Sequence, residues 1–92
     1  MDKRIEWSKA KNKTLKATRS VTFEIVAQII YSDEYLGVSD HPNKIKYPQQ
    51  RIYIVFINNY YYYVPFVEDD DKIFLKTIIP SRKIKRKYTK QK

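Results

Sequence analysis

A chain of 92 residues with 19 Lys and Arg, 10 Asp and Glu and no cysteine predicts one small basic domain that is held together by packing alone. A chain of this size buries only about 60 to 65% of the surface of its unfolded form, which excludes a two-domain enzyme. The absence of cysteine excludes disulfide frameworks, thiolate zinc sites and iron–sulfur clusters. No apolar run approaches the length of a membrane span or a signal-peptide core, so we expect a soluble, cytoplasmic protein with one domain over residues 1–92.

The amino-terminal third predicts a strand followed by two helices. Residues 5–7 alternate as a short strand, and Ser8 is a suitable cap for a helix over 9–19. Leu15 is the only large apolar residue of that helix, so we expect it to be mostly solvated. Thr22 can cap a second helix, whose apolar residues recur at helical spacing and predict a face packed on the core. These residues are Phe23, Val26, Ala27 and Ile30.

The middle of the chain predicts a loop and then a hairpin. Residues 39–50 contain two prolines and several turn formers, which favours a loop. Both faces of 52–57 are apolar, as expected of a strand in a covered sheet. Asn58 and Asn59 suit the positive-φ positions of a tight hairpin turn. The return strand begins with four tyrosines and contains Pro65, which predicts an edge or a bulge at that point.

The last third predicts another strand and a basic end. Asp69, Asp70 and Asp71 are interpreted as a solvated turn, since adjacent carboxylates point in different directions. Residues 72–79 predict a third strand of an antiparallel meander, stopped by Pro80. Residues 81–92 predict a short helix capped by Ser81 and fraying into a basic tail. The whole is an α+β fold, with the helices on one face of the sheet.

The charge is concentrated at the two ends of the chain. Residues 1–20 carry +5, residues 21–75 carry −4 and residues 76–92 carry +8. Ends that meet in space would project a positive field, for which nucleic acid is the leading partner, ahead of an acidic protein or anionic lipid. Solvation of a small protein by lysine-rich ends is the alternative interpretation.

The available side chains favour metal-independent cleavage of RNA. No glycine-rich phosphate loop, spaced acidic cluster or histidine pair is present, so no metal and no cofactor are predicted. RNA needs neither, because its 2′-hydroxyl can attack the adjacent phosphorus once its proton is removed and cations stabilise the added charge. His41 is the one side chain suited to proton transfer near neutral pH. It equally fits a loop histidine that only helps the His-Pro-Asn segment fold.

Three cations near the predicted sheet are candidates for holding a phosphate. Lys76 interrupts an alternating strand and must reach solvent, a partner or a phosphate. Arg82 follows the strand end, where its guanidinium can fork onto phosphate oxygens, and Arg51 begins the first strand of the meander. Tyrosines 60–63 could stack bases, but alternate members of the run must face the core.

Three segments resemble BrnT-family toxins. IEWSKAKNKTLKATRSVTFE is similar to the family's aromatic-Glu-Trp-Asp strand end, its Lys- and Asn-containing helix and its Gly-Val-Ser-Phe-Glu start of a second helix. DHPNKIKYPQQRIYIV resembles a His-Pro-Asn subgroup, and KIFLKTIIPSRKIKRKY resembles the closing strand and basic tail. Ser8 stands where the family has Asp, and Ser20 where it has glycine. The matching positions of the first segment are Trp7, Lys9 or Lys11, Asn12, Val21, Phe23 and Glu24.

The resemblance implies a RelE/ParE-like fold and a toxin that arrests translation by cleaving RNA, chiefly mRNA. It also implies a cognate antitoxin that covers the basic surface of the toxin. By position it places functional residues at Arg51, Arg82 and His41; Lys76 is added from the strand pattern. We expect His41 to act as base or acid and the cations to clamp phosphate. Further RNA contacts are predicted at Lys44, Lys46, Lys83, Lys85, Arg86 and Tyr88.

The predicted partners are RNA, with the ribosome as a possible setting, and a small DNA-binding antitoxin in a higher oligomer; no membrane is involved. Two alternatives stay open. One is a non-catalytic RNA- or ribosome-binding module, and the other is a ParE-like toxin directed at a protein.

Overall fold

The computed structural model describes residues 3–81, which form an α+β fold with two helices and a mixed six-stranded sheet. Neither helix of this part is long and apolar enough to cross a membrane. The predicted helix and tail over 81–92 lie outside the described residues, apart from Ser81. The elements in chain order are β1 (Arg4–Trp7), α1 (Lys9–Arg19), α2 (Phe23–Tyr31), β2 (Gly37–Asp40), β3 (Arg51–Ile57), β4 (Tyr60–Glu68), β5 (Lys72–Leu75) and β6 (Ile79–Pro80).

Both helices begin at the predicted caps. The Ser8 hydroxyl accepts from the Lys11 N–H, and the Thr22 hydroxyl accepts from the Ile25 N–H, which satisfies backbone donors that a helix start leaves unpaired. Leu15 is the only buried residue of α1, so the prediction of a mostly solvated helix is confirmed. The four predicted core residues of α2 are all buried.

The junction between the helices is fastened by Asn12. Its Oδ1 accepts from the Phe23 N–H at 2.7 Å, and its Nδ2 donates to Glu24 Oε1 at 2.8 Å. The Trp7 and Phe23 rings stack with centroids 5.8 Å apart. Ser20 ends α1 at φ 57° and ψ 31°, the left-handed conformation that glycine adopts at least cost. Four of the matched positions of the first segment therefore connect β1, α1 and α2, namely Trp7, Asn12, Phe23 and Glu24.

The sheet differs from the predicted antiparallel meander in two strands. Its order is β1-β5-β4-β3-β2, and β1 pairs with β5 in parallel. Residues 37–40, of which 39 and 40 were predicted as loop, form β2 and pair with β3. The short, partly polar segment has no strand pattern of its own, and the open edge of β3 supplies its hydrogen bonds.

The predicted third strand is interrupted opposite Pro65. β5 ends at Leu75, and the chain pairs with β4 again only at β6, where Pro80 is within the strand instead of stopping it. Pro65 lies at the change of partner and is buried in a central strand. Of the two expected alternatives the edge strand is therefore wrong, while an irregularity at Pro65 is present as the break in pairing between Leu75 and Ile79. Because proline has no N–H for the ladder, pairing is broken there, although the Lys76 N–H still donates to the Pro65 carbonyl at 2.8 Å.

The sheet has two different faces. The helix face packs on both helices and holds the main core, with Tyr53, Val55, Tyr62, Val64 and Phe66 among its buried residues. The opposite face, here called the open face, is formed by Ile52, Ile54, Phe56, Tyr61 and Tyr63. The hairpin between them turns through Asn58 and Asn59 at φ 52° and 64°, as predicted.

Candidate functional site

A pocket of about 400 Å³ opens where the interrupted edge of β4 meets α1 and the loop over 41–50. Pro65, Thr77 and Ile79 form part of its wall. Its remaining lining residues come from four separate stretches of the chain and carry polar or charged groups: Lys11, His41, Tyr47, Gln50, Tyr63 and Lys76.

Lys76 enters the pocket because β5 is interrupted. Its N–H is held by the Pro65 carbonyl, and its Nζ lies 5.5 Å from the centre of the Phe74 ring. At the other end of the interruption, Arg19 Nη1 donates to the Ile78 carbonyl at 2.9 Å, and the Ile78 side chain is fully buried. The segment that carries Lys76 and Thr77 is therefore fixed at both ends.

Lys11 reaches the same pocket from α1. It lies one helical turn before Leu15, the residue that anchors α1 in the core, and residues four apart share a helix face. Arg19 lies one turn after Leu15 and contacts the interruption. One buried leucine thus orients a pocket lysine and the arginine that holds the neighbouring wall.

His41 is held by its own loop. Its N–H donates to the Gln50 carbonyl at 3.2 Å, which closes the base of the loop, and its ring lies 4.6 Å from the Tyr47 ring. The Asn43 N–H donates to His41 Nδ1 at 3.0 Å, while Asn43 Oδ1 accepts from the Lys46 N–H. His41 therefore helps to shape the loop as well as lining the pocket.

The Asn43 contact assigns the tautomer of His41. A nitrogen that accepts a hydrogen bond carries no proton, so the neutral ring has its N–H at Nε2. In this geometry the imidazole is a hydrogen-bond donor. Accepting a proton, or donating one as imidazolium, would require the contact with Asn43 to break.

The pocket is cationic. Two lysines line it, and among the residues described no Asp or Glu does. Asp40, the last residue of β2 and the one before His41 in the chain, is paired with Lys44 at 3.1 Å. Anionic groups such as phosphates are the ligands that this lining suits, since cations can neutralise them while Tyr, Gln and Thr offer hydrogen bonds.

The predicted site residues are brought together only in part. His41 and Lys76 share the pocket. Arg51 does not line it: it pairs with Phe66 in the β3–β4 register and so lies on the helix face, with Nη1 3.8 Å from Glu68 Oε1. Arg82 lies outside the described residues and stays a prediction.

The predicted RNA contacts divide in the same way. Lys44 and Lys46 are exposed on the loop beside the pocket, and Lys46 Nζ lies 5.4 Å from the centre of the Tyr47 ring. The remaining predicted contacts lie outside the described residues: Lys83, Lys85, Arg86 and Tyr88.

The aspartate run after β4 forms a turn. The Asp71 and Lys72 N–H groups donate to Asp69 Oδ1 and hold the pKa of that carboxyl below its ordinary value. Within residues 3–81, no group of three His, Cys, Asp or Glu side chains is placed to hold a metal ion.

Sequence reasoning raised Tyr63 only as one of four tyrosines that could stack bases, and it did not assign Lys11, Tyr47, Gln50 or Thr77 to the site. For Lys11 a signal existed, because its spacing of four from Leu15, the only large apolar residue of α1, separates it from Lys9 and Lys13. For Gln50 and Thr77 the sequence holds no such signal.

Comparison of the chain with protein-family models, curated proteins and solved structures found no match.

Proposed function

We propose that this chain is a metal-independent endoribonuclease, the toxin of a type II toxin–antitoxin pair similar to BrnT-family toxins, with a RelE/ParE-like arrangement of its helices and sheet. One observation carries the proposal: Lys11, Lys76 and His41, from three separate parts of the chain, line one pocket without a carboxylate among the described lining residues. The order of a strand, two helices and a sheet that they cover on one face supports the proposed arrangement.

The chemistry requires little of the protein beyond charge and positioning. The RNA 2′-oxygen forms a bond to the adjacent phosphorus as the bond to the 5′-oxygen breaks, which gives a 2′,3′-cyclic phosphate and a 5′-hydroxyl. In the proposal, Lys11 and Lys76 stabilise the charge that develops on the phosphate oxygens. His41 donates from Nε2 to one of these oxygens, so the 2′-hydroxyl proton passes to solvent hydroxide and the 5′-oxygen takes a proton from water.

The predicted arginines keep separate roles in this proposal. Arg82 remains a predicted phosphate clamp, and the basic residues after it remain predicted backbone contacts. Arg51 remains a predicted site residue, although its ion pair with Glu68 favours a part in anchoring the sheet. A cognate antitoxin that covers the cationic pocket would inhibit such an enzyme by masking Lys11 and Lys76.

The test is incubation of the purified chain with RNA in EDTA, followed by analysis of the product ends. Cyclic phosphate and 5′-hydroxyl ends are the expected result. Intact RNA that stays bound to the chain would favour a non-catalytic RNA-binding module, and intact RNA without binding would favour a protein-directed toxin. Protein from a strain carrying Lys11→Met serves as the control for a contaminating nuclease, since a contaminant would cleave equally in both preparations.

A further inference from the structure

A row of aromatic rings leads out of the pocket across the open face. Tyr63 lines the pocket. Tyr61 lies two residues along β4 on the same face, about 6.8 Å away for a strand rising about 3.4 Å per residue. Phe56 is the register partner of Tyr61, and their ring centroids are 4.7 Å apart with the planes inclined by 51°. The row therefore runs from the cations of the pocket toward the hairpin.

Packing against the sheet explains only the part of this row that touches Ile52 and Ile54. Ile52 and Ile54 lie against Tyr61 and Tyr63 and are 5% and 4% exposed. Phe56, in contrast, is 46% exposed. An aromatic ring half open to solvent at the end of such a row adds little to the core and presents a flat apolar surface.

The chemistry beside the row selects its occupant. A molecule that follows the row must bring an anion to Lys11 and Lys76 and flat apolar groups to the rings. A single-stranded nucleic acid has both, because each phosphate is followed by a base with a free face. A duplex is unsuitable, since stacking already covers the faces of its bases.

We propose that the open face is a binding track for single-stranded RNA, with a phosphate at Lys76 and successive bases against Tyr63, Tyr61 and Phe56. This inference rests on the proposed function for the identity of the substrate and extends it to the way in which RNA lies on the sheet. It makes the site selective for unpaired segments. It also assigns binding affinity to residues outside the reacting pocket.

The test uses a fluorescent 2′-O-methyl octaribonucleotide, which cannot be cleaved because its 2′-oxygen is blocked, and measures Kd by anisotropy. Loss of one stacking ring weakens single-strand binding by about 1 to 3 kcal/mol, or roughly 5- to 150-fold in Kd. We expect losses in this range for Tyr61→Leu and Phe56→Leu. Leucine keeps an apolar cover over Ile52 and Ile54, and Tyr61→Phe keeps the ring, so it should bind as the wild type does.

The matched control is Tyr60→Leu. Tyr60 is the neighbouring tyrosine of β4 but lies on the other face, where its ring meets Tyr62 edge to face. Its replacement should leave Kd unchanged. Equal binding by Tyr60→Leu and Tyr61→Leu would overturn the track. So would a dimer of the wild type that Tyr61→Leu converts to a monomer, because the open face would then be an interface between two copies.

The track and the proposed function fail in different ways. If the wild type does not cleave RNA but its binding of the blocked octamer depends on Tyr61, the nuclease proposal is wrong and the track is retained. If RNA is cleaved while Tyr61→Leu binds the octamer as the wild type does, the track is wrong and the nuclease proposal is retained.

Discussion

Replacement of Asn12 by alanine should destabilise the fold strongly although Asn12 lies on a mostly solvated helix. The change removes two hydrogen bonds, to the Phe23 N–H at 2.7 Å and to Glu24 Oε1 at 2.8 Å. Phe23 is fully buried, so its N–H loses a partner where water has little access, which costs about 1 to 3 kcal/mol. The exposed bond to Glu24 adds a few tenths of a kcal/mol, about as much as an exposed ion pair.

The expected loss of about 1 to 3.5 kcal/mol is a substantial part of the stability of a small domain, which is typically about 5 to 15 kcal/mol. Urea unfolding followed by circular dichroism measures it, and the midpoint should fall by about 1 to 2 M with an unchanged slope. Lys13→Ala, on the exposed side of the same helix, is the control and should change stability by less than about 0.5 kcal/mol. Equal midpoints for Asn12→Ala and Lys13→Ala would refute the structural role of Asn12.

The same junction has a defined pH dependence. The hydrogen bond from Asn12 is the main cause that holds the pKa of Glu24 below its ordinary value of 4.5. A carboxylate whose pKa is lowered by folding stabilises the fold above its ordinary pKa, and this contribution is lost as the pH falls through the lowered value. The difference in stability between wild type and Asn12→Ala should therefore shrink below about pH 4.5.

Three further predictions follow from single side chains. Ser20→Gly should raise the free energy of unfolding by about 0.5 to 1 kcal/mol, because φ of Ser20 is 57° and glycine adopts this left-handed conformation at less cost. An unchanged urea midpoint would argue against backbone strain at Ser20. His41→Gln should retain most of the cleavage rate that His41→Ala loses, because His41 donates from Nε2 and transfers no proton. For the same reason the wild-type rate should rise with pH up to about pH 9, below the range in which lysines lose their charge. An optimum below about pH 9 that His41→Gln abolishes would contradict this. Burial raises the pKa of Tyr53 to about 12, whereas in the unfolded chain this phenol ionises near pH 10. Unfolding should therefore become easier as the pH rises above about 10. Tyr53→Phe should lose less stability in that range, and identical alkaline stability profiles for the two proteins would speak against this contribution.

Local signals predicted the parts of the fold that depend on neighbouring residues. Ser8 and Thr22 cap helices with their own hydroxyls, and Asn58 and Asn59 adopt positive φ within one turn. β2 could not be predicted in this way, because Gly37–Asp40 becomes a strand only through pairing with β3. The break after Leu75 likewise depends on the strand opposite, where Pro65 lacks an N–H.

Two residues of the site could be predicted singly from the sequence, but their assembly into one pocket could not. His41 and Lys76 could be selected because each departs from its surroundings, as a lone histidine in a loop and a charge in an apolar strand. Their meeting depends on the pairing of Lys76 with Pro65 and on the loop closure between His41 and Gln50. The position of Arg51 on the helix face follows from register, which composition and spacing do not determine.

Single-turnover cleavage of RNA in EDTA, comparing Lys76→Met and Lys11→Met with Lys13→Met, tests most directly whether the pocket is the reacting site. Lys11 and Lys13 lie on the same helix, yet only Lys11 lines the pocket. If each pocket lysine stabilises the transition state, its replacement should slow cleavage by about 100- to 1000-fold, and Lys13→Met should cleave at the wild-type rate. Equal rates for all three folded variants would contradict the account.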